Sequence, residues 1–308
     1  MLNQIKGLHH VTSLASSASE NNTFFTQVLG LRRVKKTVNF DAPDVYHLYY
    51  GDEAGTPGSV MTYFPFQNAA RGKRGTGEVG VTSFSIPHGS GAAWGLRLAT
   101  FDVANITSDI RFGETRILFD GPDGDRFALV ETDDDRAPWT GNGVSADMGI
   151  RGFQGADIRL QDGGATAELL HFMGYEKFDV AGNVARFIIP NGNAANIIDI
   201  ETLPAAPAAT SSAGSVHHIA FAVENIARQK EVRAALIDTG YQVTPVIDRD
   251  YFHAIYFRTP GGVLFEIATN EPGFDRDEDT ANLGTALMLP ARHEHLRAEL
   301  EQYLEPLT

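Results

Sequence analysis

The stretch "GLHHVT" (residues 7–12) places two adjacent histidines at the head of an alternating apolar run, and "SVHHIAF" (215–221) repeats the arrangement. These two pairs take four of the 10 histidines in a chain of 308 residues. An alternating run is typical of a strand with one buried face, so each pair stands where a strand begins. Two equivalent strand starts far apart in the chain indicate an internally repeated fold.

Four segments share this opening. They begin with "KGLHHVTSLA" (6–15), "EVGVTSFSIP" (78–87), "RGFQGADIRL" (151–160) and "SVHHIAFAVE" (215–224). A helix-like stretch follows the first, third and fourth openings and is expected to stop at a glycine, which is Gly30, Gly174 or Gly240. The second segment has the weakest helix pattern.

The four segments also close alike, on a strand-like run. These runs are "GSVMTYF" (58–64), "GDRFALVET" (124–132), "ANIIDIET" (195–202) and "GGVLFEIAT" (261–269). Two of them follow the turn signatures "GPDG" (121–124) and "TPGG" (259–262). The repeating unit is therefore a strand, a helix and a few antiparallel strands.

The four units group into two halves separated by the polar segment "ETDDDRAPWTGNG" (131–143). The N-terminal half covers residues 1–140, with units at about 1–66 and 76–135. The C-terminal half covers residues 148–308, with units at about 148–203 and 214–272 and a C-terminal extension.

Composition narrows the class of protein. A formal net charge of −14 disfavours a nucleic-acid binder, which would need a basic face, and suits a protein that handles a small molecule. No apolar run is long enough for a membrane span, and "MLNQIKGLHH" shows no signal-peptide pattern, so the cytoplasm is the default compartment. The chain has no cysteine, so any metal must be held by His, Asp, Glu or water. A homo-oligomer is compatible with the sequence.

Alignment of the units suggests a metal site. Units one and four place His10 and His218 just before the alternating run, whereas unit three has Gly155 there. Unit four also ends on Glu266, a single carboxylate in an apolar strand, which is costly to bury unless paired or bound to a metal. Two histidines and one carboxylate on one side of a metal match the triad of non-haem Fe(II) oxygenases. Taken singly, each residue could equally be a core or surface residue.

The chain resembles the vicinal oxygen chelate superfamily, which includes glyoxalase I, bleomycin-resistance proteins and extradiol dioxygenases. It is most similar to the branch of ring-cleaving dioxygenases that open hydroquinone rings with Fe(II). The resemblance covers nearly the whole chain. It is carried by "GLHHVT" (7–12), "YHLYYGDEAGTPGSVMTYFPF" (46–66), "VHHIAFAV" (216–223), "DRDYFHAIYFRTPGGVLFEIAT" (248–269) and "GFDRDEDTANLGTALMLP" (273–290).

The resemblance implies an α+β fold of four βαβββ modules in which paired modules curve into half-open barrels. It places the metal ligands at His10, His218 and Glu266, the trio reached from the repeat. Enzymes that cleave catechols carry a histidine at the position of Gly155, which follows Gln154 here, so the site differs from theirs.

The resemblance also places five further residues near the reaction: His9, Thr12, His217, Arg249 and Tyr256. His9 and His217 are expected at the pocket rim, where an imidazole that titrates near neutral pH could exchange a proton with the substrate. The alternative is that each caps its strand and packs against a helix. For Arg249, a salt bridge with Asp248 or Asp250 is as plausible as contact with substrate.

The leading hypothesis is therefore an Fe(II)-dependent extradiol-type dioxygenase that acts with O₂ on a small aromatic diol, most of all a substituted hydroquinone. Mn, Zn or Ni could replace iron in purified protein. A glyoxalase-like metal-dependent lyase or isomerase is the runner-up, and a binding protein of the same fold is third. Four phenylalanines are candidates for the pocket wall but are better core residues: Phe24, Phe25, Phe64 and Phe66.

Overall fold

The computed structural model describes residues 1–307 and shows the predicted strand–helix–three-strand module four times. Module one contains β1 (Ile5–Ala15), α1 (Ala18–Thr23) with a π-helical turn (Phe24–Val28), β2 (Arg32–Asn39), β3 (Ala42–Gly51) and β4 (Val60–Pro65). Module two contains β5 (Glu78–Ile86), α2 (Gly91–Thr100), β6 (Ala104–Arg111), β7 (Glu114–Asp120) and β8 (Arg126–Glu131). The second module thus has the helix that its sequence indicated only weakly.

The C-terminal modules repeat the order. Module three contains β9 (Gly152–Leu160), α3 (Gly164–Phe172), β10 (Glu176–Ala181), β11 (Val184–Ile188) and β12 (Ile197–Thr202). Module four contains β13 (Val216–Val223), α4 (Ile226–Asp238), β14 (Ile247–Asp248), β15 (Phe252–Arg258) and β16 (Leu264–Pro272). The extension adds three 3₁₀ turns (Phe274–Arg276, Thr280–Asn282 and Ala291–Leu296) and α5 (Arg297–Tyr303).

Modules pair across the sequence to make two eight-stranded sheets. Modules four and one form the sheet β14-β15-β16-β13-β1-β4-β3-β2, and modules three and two form the sheet β10-β11-β12-β9-β5-β8-β7-β6. The opening strands meet antiparallel at the centre of each sheet, β1 against β13 and β5 against β9. Each sheet curls into a half-open barrel, which confirms the predicted α+β fold. Both predicted halves of the chain contribute one module to each sheet.

Three module helices end where the sequence predicted. Gly30, Gly174 and Gly240 have φ angles of 70°, 100° and 94°, the left-handed region that glycine adopts without strain. At Gly174 a Cβ atom would also lie 2.7 Å from the main-chain oxygen of Leu2, so this turn has no room for a side chain. No helix within residues 1–307 combines the length and apolar character that a bilayer crossing requires.

The C-terminal extension is anchored to module one. The Lys35 side chain is fully buried, and its Nζ lies 2.6 Å from Asp277 and 2.5 Å from Glu278. Further along, the imidazole of His293 bonds to the main-chain oxygen of Phe40 at 3.0 Å. The extension therefore braces the β2–β3 hairpin, which forms part of the cavity described below.

Candidate metal centre

Two β-bulges place the histidine pairs. Where β1 meets β13, Leu8 pairs with Phe221 but His10 pairs with Ala220, so His9 is an extra residue on β1. In the same way Thr12 pairs with His218 and Ser13 with Val216, so His217 is the extra residue on β13. A bulge interrupts the alternation of side chains between the two faces of a sheet. Adjacent histidines can therefore both be used at one site.

The second histidine of each pair meets Glu266 on the concave face of the first sheet. His218 Nε2 lies 2.8 Å from Glu266 Oε2, and His10 Nε2 lies 3.4 Å from the same oxygen and 3.3 Å from His218 Nε2. All three side chains are buried. Within residues 1–307 they form the one group of three His, Asp or Glu side chains whose ligand atoms all lie within 4.8 Å of one another.

The charge states of the trio suit a metal ligand set. Burial opposes ionisation of Glu266, but the imidazoles of His10 and His218 outweigh burial and hold the pKa of this carboxyl well below its usual range. Burial lowers the pKa of His218 although the carboxylate opposes the shift. An ionised carboxylate and a neutral imidazole are the forms that bind metal ions.

The first histidine of each pair orients the second. His9 Nδ1 lies 3.0 Å from His10 Nδ1, and His217 Nδ1 lies 2.7 Å from His218 Nδ1. Because the Nε2 atoms of His10 and His218 face Glu266, their Nδ1–H groups donate to the first histidines, a tautomer assigned from this network. Such a bond fixes the ring and strengthens it as a ligand.

His9 and His217, the first histidines of the two pairs, differ in what their Nε2 atoms contact. His9 Nε2–H donates to the main-chain oxygen of Thr269 at 3.1 Å, and its ring lines a smaller cleft behind the trio. His217 lines the main cavity, where its Nε2 has no partner among the described residues. His217 therefore reaches the site expected for it, whereas His9 lies behind the ligands and not at the pocket rim.

The expectation that both rings titrate near neutral pH is not met. Burial, reinforced by His10, lowers the pKa of His9 from 6.5 to about 3. Burial, reinforced by His218, lowers the pKa of His217 to about 4. At neutral pH both imidazoles are neutral, so each has one N–H donor and one acceptor nitrogen.

Tyr256 and Arg249 lie on the cavity wall, as the resemblance implied. Tyr256 pairs with Glu266 across β15 and β16, and burial followed by the Glu266 charge raises the pKa of its phenol well above the usual value. The Arg249 guanidinium lies 5.7 Å from the centre of the Tyr256 ring and 3.0 Å from Asp41. Its ion-pair partner is thus on the β2–β3 hairpin and is neither Asp248 nor Asp250.

Thr12 serves a hydrogen-bond chain beside the cavity. Its hydroxyl lies 2.9 Å from Thr62 Oγ1, which lies 2.8 Å from His47 Nε2. The Tyr49 hydroxyl lies 2.7 Å from His47 Nδ1 and completes the chain. His47 and Tyr49 line the cavity, and sequence analysis missed both. The sequence signal that could have identified them is the spacing of His47 and Tyr49 in "YHLYYG" (46–51), which places both on one face of a strand.

The cavity that opens from the trio has a volume of about 480 Å³. Aromatic and aliphatic side chains make up much of its wall, among them Leu14, Phe40, Phe64, Phe252 and Leu264. Phe24 and Phe25 are core residues as expected, but Phe64 and Phe66 line this cavity.

The equivalent position of the second sheet is filled by ion pairs. Asp199 pairs with Asp157 in the strand register just as Glu266 pairs with Ala220, so the two carboxylates are structural equivalents. Arg186 donates two hydrogen bonds to Asp199, of 2.9 and 3.0 Å, and the guanidinium of Arg111 lies 3.0 Å from the same carboxylate. The charge of Asp199 is therefore balanced by two guanidinium groups of the same sheet.

Comparison with known proteins agrees with this geometry. The "Putative ring-cleaving dioxygenase MhqO" of Bacillus subtilis (strain 168) is 42% identical over 99% of this chain and 98% of its own length. The "Chlorohydroquinone/hydroquinone 1,2-dioxygenase" of Sphingobium indicum is 34% identical over 96% of this chain and 95% of that protein. A crystal structure of a "putative dioxygenase" from Bacillus subtilis has a TM-score of 0.96 at 42% identity, over 99% of this chain and 98% of that one.

The sequence profile that matches the chain spans residues 7–267, which include both histidine pairs and Glu266. The predicted enzyme class, a ring-cleaving dioxygenase, is the class for which the relatives are named. The chain belongs to the Glyoxalase/Bleomycin resistance protein/Dioxygenase superfamily.

Proposed function

We propose that this protein is an Fe(II)-dependent dioxygenase that cleaves the ring of a hydroquinone. The observation that carries the proposal is the buried trio of His10, His218 and Glu266 at the base of a large, mainly apolar cavity. The name of the Sphingobium relative supports a para-diol as the substrate. Module three does not support a catechol-type site, because Gly155 stands where catechol-cleaving enzymes carry a histidine and Asp199 is bonded to Arg186.

The donor atoms fit a divalent transition metal. Neither Glu266 oxygen accepts a well-formed hydrogen bond from the described residues, although the side chain is fully buried. This ionised carboxylate and the two imidazole nitrogens 2.8 and 3.4 Å from its Oε2 are donor atoms that a cation could bind together. Two imidazole nitrogens and one carboxylate suit Fe(II), and Zn, Mn or Ni could occupy the same ligands. Bound iron would supply the redox chemistry that a reaction of an aromatic ring with O₂ needs.

Residues on the cavity wall would bind and orient the diol. The Tyr256 phenol is protonated at neutral pH because its pKa is raised by burial and by Glu266, so its hydroxyl can donate to a substrate oxygen. The Arg249 guanidinium carries a fixed positive charge near the Tyr256 ring and favours an ionised phenol over a neutral one.

His217 is the residue best placed to handle a proton. Its Nδ1 accepts from His218, so its Nε2–H is directed to the cavity as a donor. A proton passed from Nε2 to a substrate oxygen would be replaced at Nδ1 by the proton that His218 donates there. His9 has both nitrogens engaged and would act only by orienting His10.

The test is O₂ uptake after anaerobic reconstitution with Fe(II). We expect uptake with hydroquinone and with methylhydroquinone, much less with catechol, and none from protein loaded with Zn. The E266Q protein serves as the matched control because it keeps the side-chain shape and removes the ligand charge. Conversion of a methylglyoxal–glutathione adduct without O₂ uptake would instead favour the lyase alternative.

A further inference from the structure

The cavity is much larger than a single aromatic ring requires. Its volume is about 480 Å³, whereas a protein cavity of about 150 Å³ is enough to bind benzene. A diol ring placed at the trio would therefore leave roughly two thirds of the space to something else. The shape and chemistry of that remaining space indicate what the substrate carries besides its hydroxyl groups.

The remaining space extends along the strands toward one end of the half-barrel. Leu14 follows His10 by four residues on β1, which is about 13 Å along a strand, and the neighbouring strand places Phe64 beside it. Leu264 precedes Glu266 by two residues on β16, about 7 Å away. Because β16 runs opposite to β1, Leu264 lies toward the same end as Leu14.

This end of the cavity is apolar. Phe66 and Phe40 line the cavity together with Leu14, Phe64 and Leu264, and none of these side chains can form a hydrogen bond.

Most polar groups near this end are already engaged, and the exception is His217, whose ring lies 6.2 Å from that of Phe64 and presents one N–H donor. Both nitrogens of His47, whose ring lies 4.1 Å from that of Phe64, are bonded, one to Thr62 and one to Tyr49. Asp41 is largely exposed and is paired with Arg249. A charged substituent would therefore give up its water for few neutral hydrogen bonds, among them one from His217.

We propose that the substrate is a para-diol whose ring carries an apolar substituent, an alkyl chain or an aryl ring, and that this substituent lies against Leu14, Phe64 and Leu264. The proposal rests on the proposed function, because it places the diol at His10, His218 and Glu266. It adds a preference for hydroquinones larger and more hydrophobic than the unsubstituted ring.

A substrate series tests the preference. The Fe(II) protein is assayed by O₂ uptake with hydroquinone, methylhydroquinone, butylhydroquinone, phenylhydroquinone and carboxymethylhydroquinone. Each buried methylene is worth about a fourfold gain in kcat/KM, which corresponds to about 0.8 kcal/mol, so butyl should exceed hydrogen by roughly 10²-fold. The carboxymethyl compound should fall below hydroquinone. A flat series, or a maximum at the carboxymethyl compound, would overturn the proposal.

A variant pair locates the substituent. Leu14→Phe fills the far end of the cavity and should reduce the ratio of kcat/KM for butylhydroquinone over hydroquinone by at least about tenfold, the expected loss of two or more buried methylenes. Leu14→Met conserves volume and should keep the ratio of the parent. An unchanged ratio in Leu14→Phe would contradict the assigned position.

Binding without turnover separates this proposal from the proposed function. Titration calorimetry with 4-alkylphenols, which carry a single hydroxyl group, measures affinity in the metal-free and the Zn-loaded protein. Affinity should rise about fourfold per methylene from ethyl to butyl in the parent and less in Leu14→Phe. If no diol consumes O₂ but this rise is seen, the dioxygenase proposal fails and the apolar site stands. If diols are cleaved and affinity does not rise, the apolar site fails.

Discussion

Replacing Glu266 by glutamine should abolish metal-dependent stabilisation. Glu266 is fully buried, its Oε2 lies 2.8 Å from His218 Nε2, and none of the described residues gives it a well-formed hydrogen bond. The neutral amide therefore removes the one negative charge of the trio. Loss of a directly bound carboxylate should weaken metal binding by more than the about 10–100-fold that loss of an outer hydrogen-bond partner causes.

The size of the effect follows from linkage. Free metal at 100 times Kd stabilises a folded protein by about 2.7 kcal/mol. With an unfolding entropy of about 2.1 cal/mol/K per residue, that corresponds to an increase in Tm of about 4 °C for 308 residues. We expect this shift in the parent and none in Glu266→Gln at the same metal concentration, each measured against its own metal-free protein. Metal-free Glu266→Gln should itself melt below the metal-free parent, because the low pKa of Glu266 means that the folded protein favours its ionised form.

Asp199→Asn is the matched control because Asp199 occupies the equivalent register position in module three. Here the carboxylate is held by Arg186 and Arg111, so the change breaks a buried ion pair and should cost about 3–5 kcal/mol. Its metal content should equal that of the parent. Scanning calorimetry and metal analysis by mass spectrometry measure both quantities. One tightly bound metal ion in Glu266→Gln, or a loss of metal in Asp199→Asn, would refute the assignment.

Four other outcomes are expected. His217→Gln should keep one metal per chain and lower kcat by about 10²–10⁴-fold, the range for loss of a proton-transfer group, in steady-state O₂ uptake. His9→Gln should instead lower metal affinity by about 10–100-fold in chelator competition, because it orients a ligand from behind. Lys35→Met should lower the free energy of unfolding in urea by about 3–5 kcal/mol, because it leaves two carboxylates near a buried site without their cation. Burial raises the pKa of Asp125 from 3.8 to about 6, so the stability that this group contributes is complete below pH 3.8 and is lost as the pH rises through 6. Asp125→Asn should remove that loss and be more stable than the parent at pH 7.5 by up to about 3 kcal/mol in urea unfolding.

Three of these predictions have a check of their own. Parent-like kcat in His217→Gln with full iron would leave the proton role without support. Lys36, at the neighbouring position, has no comparable ion pair within residues 1–307, so Lys36→Met should change stability by less than about 1 kcal/mol. An Asp125→Asn protein whose stability follows that of the parent across pH 4–7 would show that this carboxyl titrates normally.

The repeat made the trio predictable. In each module the first and last strands are hydrogen-bonded neighbours, so equivalent residues of different modules occupy equivalent places. Alignment of unit starts and ends therefore located His10, His218 and Glu266 before their distances were known. The three helix ends were predictable for a local reason, because the glycine at each stop adopts a conformation that other residues avoid.

The missed features depend on contacts between distant segments. His9 and His217 look alike in the sequence, and they differ because Thr269, 260 residues from His9, offers its carbonyl to one ring alone. Arg249 pairs with Asp41, which is 208 residues away. Local pattern also cannot separate a core phenylalanine from one that lines a cavity, since both are apolar, and Phe64 and Phe66 were assigned to the core for that reason.

The two sheets show how one partner decides the use of a buried carboxylate. Glu266 and Asp199 hold the same register position, are both almost fully buried and end the same kind of module. In module three a guanidinium supplies the positive charge, so that carboxylate stabilises the fold and has no donor atom to spare. In module four the neighbours are two imidazoles whose Nδ1 atoms are bonded to a second pair of histidines, so their Nε2 atoms and the carboxylate could bind a cation together. The paired histidines are thus a requirement of the site. The second histidine of each pair faces the carboxylate, and the first holds that second imidazole in the tautomer that can bind a metal ion.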